Sequence, residues 1–306
     1  MKILVTGGSG LVGKAIEKVK TNNDFIFLSS KDCDLTNFDK TKDLFNKIKP
    51  DYVIHLAACV GGLFKNMNQN LEIFEINLLI NFNVIKCCHL YNVKKCISCL
   101  STCIFPADVA YPIKENMLHN GKPHNSNYGY SYAKRLLEIH SRLYRETHNS
   151  KFICVIPCNI YGENDNFSLE EGHVIPALIH QCYLAKKFNK PFIVKGTGTP
   201  LRQFIYVEDL ANIILLILEK YEGNDDLIVA TPENDEISIK NIAEVIADNF
   251  EYKNIKYDTN YSDGQYKKTV DNQKLTDFID YKFTPIQVGI SKTIHWFKSN
   301  YDICRK

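Results

Sequence analysis

Residues 2–19, KILVTGGSGLVGKAIEKV, leave few folds open. Ile3 to Thr6 read as a buried strand, glycines follow at 7, 10 and 13, and a helix-forming stretch comes next. Strand, glycine-rich turn and helix in that order open a parallel α/β sheet, because the chain packs back on the sheet by a right-handed crossover. The spacing G-x-x-G-x-x-G permits a tight turn, close approach of backbone to a phosphate, and close packing of the helix on the sheet. The helix start then offers free N–H groups to an anion. Gly7, Gly10, Leu11, Val12 and Gly13 are the candidate pyrophosphate cradle; the competing reading is a structural turn without ligand. Lys14, just beyond, is read as a solvated helix residue, with contact to a phosphate as the alternative.

The stretch DFIFLSSKDCDL supplies a second strand. A free ribose 2′-OH usually meets an Asp or Glu at this strand's end. Here the end carries Ser29, Ser30 and Lys31, two hydroxyls and a cation that suit a 2′-phosphate, so NADP is expected over NAD. Asp34 and Leu35 are expected at the adenine edge, with a surface-turn role for Asp34 equally open. A third strand, in PDYVIHLAACVGG, ends in small residues, and Ala57 and Ala58 would let a cofactor lie against it. His55, inside the apolar run, reads as a satisfied core histidine. Helices are expected at 37–49 and about 70–92, then a strand in KKCISCLS. The alternation argues a doubly wound parallel sheet.

Where that architecture places chemistry, at a strand's C-terminal end, the chain reads Ser101-Thr102-Cys103, and a polar loop leads to Tyr130-Ser131-Tyr132-Ala133-Lys134. A Tyr and a Lys four apart on a helix share a face. A nearby ammonium is expected to lower the phenol's pKa and suit it to proton transfer, with the Ser101 hydroxyl sharing the same oxygen.

Composition narrows the partners. A chain of 306 residues can hold one large domain, or one with a smaller companion. A formal net charge of +2 points to neither nucleic acid nor an anionic membrane. Apolar runs such as 213–218 are too short for a bilayer, and the first strand begins too early for a secretory leader. Eleven cysteines in a chain this long do not suggest a disulfide framework, and Cys96-x-x-Cys99 is half a zinc site without a second pair. No metal is expected, and a reduced, cytoplasmic setting fits.

The glycine loop with Ser101 and Tyr130-x-x-x-Lys134 is similar to the extended short-chain dehydrogenase/reductases that act on nucleotide sugars. The blocks GGSGLVGKAI, HLAACVGGLFKN, LSTCIFP, YPIKENMLHNGKPHNSNYGYSYAKR, GHVIPALIH, GTGTPLRQFIYVEDLA and SDGQYKK resemble its bifunctional 3,5-epimerase/4-reductases of GDP-4-dehydro-6-deoxy-D-mannose. The resemblance implies a Rossmann-type NADP(H) domain over 1–160 with a return segment near 200–222. A smaller, interleaved α/β substrate domain over 161–306 would follow. It implies a GDP-sugar substrate and a homodimer through helices near 70–92 and 128–148.

The same resemblance implies residue roles. Cys103 would be the base and His173 the acid for epimerisation, His173 also touching cofactor. Ser101 and Tyr130 would hold the C4 oxygen, and Lys134 the nicotinamide ribose. Arg202 and Lys268 would meet the diphosphate and ribose, while Asn159, Asn166 and Val174 would line the substrate. The chain departs from the relatives at Lys195, where they have Trp, at Gln181, where they have a basic residue, and at Glu163-Asn164. The competing readings are a nucleotide-sugar 4-epimerase or 4,6-dehydratase, and a non-catalytic NADP-binding sensor.

Overall fold

The computed structural model describes residues 1–19, 22–61 and 68–306. Six parallel strands form the main sheet: β1 (Lys2–Thr6), β2 (Asp24–Leu28), β3 (Tyr52–His55), β4 (Lys95–Cys99), β5 (Lys151–Pro157) and β10 (Leu227–Val229). Their order across the sheet is β10-β5-β4-β3-β1-β2. Val5 pairs with Ile54, Ile54 with Ile97, and Ile97 with Ile153, all fully buried. Strands apolar on both sides need cover on both faces. One layer contains α1 (Leu11–Lys18) against α6 (Val207–Lys220). The other contains α2 (Phe38–Ile48), α3 (Asn70–Leu90) and α4 (Tyr128–His148), with α3 and α4 lying along each other.

The strand order reverses between β1 and β3. At such a switch point the crevice beyond the strand ends stands open for a ligand. The turn after β1 and Ala57 after β3 both face that crevice.

Three smaller pairs build the rest: β6 (Asn159–Tyr161) with β9 (Phe204–Tyr206), β7 (Phe192–Lys195) with β12 (Ile255–Asp258), and β8 (Leu201–Arg202) with β11 (Ile237–Ser238). Helices α5 (Val174–Lys187), α7 (Ile239–Asn249), α8 (Gln273–Phe278) and α9 (Ile286–Ser299) surround them. The return to the main sheet runs past residue 222, since β10 closes its edge. Three apolar residues are too few to announce that strand by periodicity.

One sequence expectation needs correcting. By length and composition α3 is long and apolar enough to cross a membrane, with a mean hydropathy of 1.3. Its buried Asn77, Asn81 and Asn83 break the apolar run, which is why counting runs missed it. All three amides are bonded within the protein, Asn83 to the carbonyls of Leu35 and Thr36 at 2.9 Å.

Candidate active site

The glycine turn is fixed by what surrounds it. Gly7 has φ +71°, and a Cβ there would lie 2.7 Å from the Ala57 amide nitrogen. A Cβ on Gly13 would lie 2.5 Å from the Gly8 carbonyl, so α1 rests directly on the turn. A Cβ on Gly10 meets only the Gly7 carbonyl, at 3.2 Å, and leaves the turn open beside the first amides of α1. Leu11 and Val12 stand in that first turn. A dinucleotide pyrophosphate fits such a cradle. Lys14 turns away from it to Glu17, at 2.7 Å.

At the end of β2 the Asp32 carboxylate accepts from the Ser29 amide at 2.8 Å and hydroxyl at 2.6 Å, which lowers its pKa. Ser30 and Lys31 are exposed beside it, so a 2′-phosphate would find hydroxyls and an ammonium. Asp34 accepts from the amide and hydroxyl of Thr36, at 3.0 and 2.6 Å, closing its own turn. Leu35 packs into the core. The surface-turn role left open for Asp34 is the one its bonds describe. Ala57 and Ala58 are half-buried at the end of β3, and residues 62–66 of the block HLAACVGGLFKN lie outside the described residues.

Below this crevice Thr6 Oγ1 lies 2.8 Å from His55 Nδ1, and His55 Nε2 lies 3.0 Å from Asn81 Oδ1. Asn81 then donates to the Ala133 carbonyl at 3.3 Å, tying β1 and β3 to α4. Burial, with Lys134 adding, pulls the His55 pKa down to about 3. The imidazole is neutral and structural.

Ser101 opens the 3₁₀ turn Thr102–Ile104, its hydroxyl accepting the Cys103 amide at 3.4 Å. The Cys103 carbonyl accepts from Ser131 Oγ at 3.0 Å, so the thiol's turn is tied to the helix of Tyr130. Lys134, on the same face of α4, holds its ammonium 5.9 Å from the Tyr130 ring centroid. The expected lowering of the phenol's pKa is not what this arrangement gives. Burial first, then the Cys103, Cys99 and Cys59 thiols, push Tyr130 well up, and burial pulls Lys134 down. Cys103 is half-buried, and Lys134, Arg135 and Lys268 all act on it electrostatically.

The remaining candidates follow β5 in the chain. His173 is exposed at the start of α5, next to the exposed Val174. Asn159 donates to the Gln203 carbonyl at 2.8 Å, and Asn166 Oδ1 accepts the Ser168 amide at 3.1 Å. Arg202 is held by the carbonyls of Leu201 at 2.7 Å and Gln265 at 2.6 Å. Burial lowers the pKa of Lys268, which lies within electrostatic range of both Cys103 and Arg202. This amine therefore joins the thiol's surroundings to those of Arg202. Lys195 sits 5.0 Å from the Tyr261 ring, Gln181 is half-buried on α5, and Glu163 pairs with Lys18.

Two positioning residues escaped the sequence reading. Arg135 is 5% exposed and donates to the Ile104 carbonyl at 2.6 Å and the Gly121 carbonyl at 2.7 Å, clamping the loop that follows Cys103. Only its adjacence to Lys134 signalled it. Asn77 pins the turn after β3, accepting from the Cys59 amide at 2.9 Å and donating to its carbonyl at 2.8 Å.

Residues 3–230 match the model of the family described as NAD dependent epimerase/dehydratase. The chain is 52% identical to the GDP-L-fucose synthase of Dictyostelium discoideum, covering 99% of this chain and 97% of that protein. It is 47% identical to the probable GDP-L-fucose synthase of Drosophila melanogaster, over 100% and 99%. Among solved structures it resembles a GDP-L-fucose synthetase from Naegleria fowleri bound to NADP, with TM-score 0.94 and 45% identity, over 100% of this chain and 95% of that one.

Proposed function

The chain belongs to the NAD dependent epimerase/dehydratase family, and on that footing we propose that it converts GDP-4-dehydro-6-deoxy-D-mannose to GDP-L-fucose. It is an NADPH-dependent 3,5-epimerase and 4-reductase. The single observation that carries the reading at the sugar is the tie between Cys103 and Ser131. It ties the turn that carries Ser101 and Cys103 to the helix that carries Tyr130, which supports an acid–base group and an oxygen-binding pair serving the same hexose.

Protons alpha to the C4 ketone leave from C3 and C5 to Cys103, which has Lys134, Arg135 and Lys268 within electrostatic range. Returning them on the opposite face is the work of His173. Tyr130 and Ser101 donate to the enolate oxygen. Bound NADPH supplies hydride to C4. Tyr130 then gives its proton to the new alkoxide, and Lys134 holds the cofactor ribose. Arg202 and Lys268 meet the diphosphate and ribose, with Asn159, Asn166 and Val174 along the sugar.

A homodimer is proposed through α3 and α4. Leu79, Phe82, Leu136 and Leu143 are between 38% and 51% exposed and fall on this helix pair. Apolar side chains concentrated on one helical pair favour a partner surface. Phe82→Glu with Leu143→Glu should halve the mass measured by light scattering. The eleven unpaired thiols support a reducing, cytoplasmic setting.

The activity is tested by following NADPH absorbance with GDP-4-dehydro-6-deoxy-D-mannose in deuterated water and locating deuterium in the product by NMR. Oxidation with label at C3 and C5 is expected, and Cys103→Ser should abolish the label. Oxidation without label would leave a plain 4-reductase. Cofactor recycled without net consumption would indicate a 4-epimerase or dehydratase, and no turnover despite bound NADPH would favour the sensor.

A further inference from the structure

The loop between β6 and α5 buries an acid that the roles above leave unused. Asp165 is 3% exposed. One carboxylate oxygen accepts the Asn166 amide at 2.7 Å, while the other is buried and has no hydrogen-bond partner among the described residues. A buried carboxylate oxygen left unpaired is costly, so a protein that keeps one there has reason to look for its partner.

The backbone brings that partner close. The Gly172 amide donates to the Ser168 carbonyl at 3.0 Å, and a Cβ on Gly172 would lie 2.7 Å from the Asn166 carbonyl. The turn at 165–168 therefore lies against the residue that precedes His173. The charges acting on Asp165 are the His173 imidazole and, more weakly, the Arg305 guanidinium. Several polar groups of the surrounding elements have other partners. His180 Nδ1 lies 2.8 Å from the Phe167 carbonyl and its Nε2 3.4 Å from the Tyr301 hydroxyl. Arg305 donates to the Asn164 carbonyl at 2.7 Å, and Glu163 pairs with Lys18. His173 makes no capping bond to its own helix, so its ring is not committed there.

Resting on the reading of His173 as the proton donor, we propose that Asp165 is its positioning residue. The free carboxylate oxygen accepts one ring N–H of His173 in the substrate-bound enzyme and leaves the other nitrogen to face the hexose. Such a partner fixes both the orientation of the ring and which nitrogen carries the exchangeable proton. Catalytic hydrogen bonds commonly tighten only when substrate is in place. Burial pushes the Asp165 carboxyl up to about 6, against the opposing effect of His173, so the partner becomes an anion just below neutrality.

The test uses the full chain with NADPH and GDP-4-dehydro-6-deoxy-D-mannose in deuterated water, comparing Asp165→Asn and Asp165→Glu with the unsubstituted protein. Asp165→Asn should slow labelling at C3 and C5 by about 10- to 100-fold, the range known for losing the orienting partner of a metal-bound imidazole. Its NADPH affinity, read by fluorescence titration, should stay unchanged. The unsubstituted protein's labelling rate should rise through about pH 6, a limb that Asp165→Asn loses and Asp165→Glu partly restores. An unchanged rate and limb in Asp165→Asn would overturn the proposal. So would equal loss in both variants with weaker NADPH binding, which would make Asp165 a structural residue only. No labelling by the unsubstituted protein would overturn the activity itself, and this inference with it.

Discussion

The Lys134 ammonium lies 5.9 Å from the centroid of the Tyr130 ring and donates its 2.7 Å hydrogen bond to the Cys99 carbonyl. The amine is thus anchored on main chain, and burial keeps the phenol well above its ordinary range. That is the state the role proposed for Tyr130 needs, a phenol with its O–H intact at neutral pH. Tyr130→Phe should lower the rate of NADPH oxidation by about 10²- to 10⁴-fold, the usual worth of a general acid, and leave NADPH affinity nearly unchanged. In the unsubstituted protein, 4-reduction should show no Tyr130-dependent loss between pH 7 and 8. A half-point in that range, absent from Tyr130→Phe, would mean that the phenol titrates low after all.

The bonds from His55 to Thr6 and Asn81 join three elements through a neutral ring. Its pKa falls from 6.5 to about 3 on folding because the ring is fully buried. As pH drops below 6.5 the unfolded chain takes up a proton that the native ring refuses, so stability is full above that pH and is lost on acidification. Each unit of pH should cost about 1.4 kcal/mol for this one proton. His55→Gln should be less stable at pH 7.5, yet lose stability less steeply between pH 6.5 and 5 in urea titrations. His89, His140 and His180, also pulled down, remain in both proteins, so the difference in slope isolates His55. Equal slopes would show that the ring is charged in the native state.

These two sites mark how far the sequence could be read. The strand, glycine turn and helix at residues 2–19 were legible because close packing there admits only glycine at positions 7 and 13. Tyr130 and Lys134 were legible as a pair through helical spacing, but the direction of the phenol's shift was not. That direction depends on how deeply α4 is buried and on thiols contributed by residues 59, 99 and 103, which no local pattern brings together. His55 could be read as a core residue from its apolar run, while its partners, 26 and 49 positions away, could not. Asp165 gave no signal in the sequence, because burial of a loop carboxylate leaves no periodic trace.

Gly129 precedes Tyr130 in the first turn of α4. A Cβ there would lie 2.3 Å from the Asn70 carbonyl and 2.5 Å from its side-chain oxygen, both on α3. Backbone cannot yield to that contact, so Gly129→Ala must separate the two helices at the end that carries Tyr130. Helix propensity favours Ala by about 1 kcal/mol, which offsets part of the stability loss. Turnover should consequently fall further than stability: at least tenfold in the rate of NADPH oxidation, while thermal unfolding remains cooperative. Full activity in Gly129→Ala would show that the helix start adjusts without moving the phenol.

Asp165 carries the opposite balance. Its carboxyl titrates near 6 in the folded chain against an ordinary 3.8, because burial outweighs the help from His173 and Arg305. Between those two pH values the native state holds a proton that the unfolded state has released, so stability declines as pH rises through the window and stays reduced above it. The penalty is at most about 3 kcal/mol, taking about 1.4 kcal/mol for each tenfold in proton affinity. Asp165→Asn removes it, although the new amide meets His173 and Arg305 less favourably than a carboxylate does. Its melting temperature should therefore exceed that of the unsubstituted protein at pH 7.5 and match it near pH 4, measured by differential scanning fluorimetry. A protein made more stable at pH 7.5 and slower in C3 and C5 exchange by one substitution would be carrying a buried charge for the sake of its chemistry. A lower melting temperature at pH 7.5 would mean instead that the carboxylate is a net stabiliser of the loop that leads to His173.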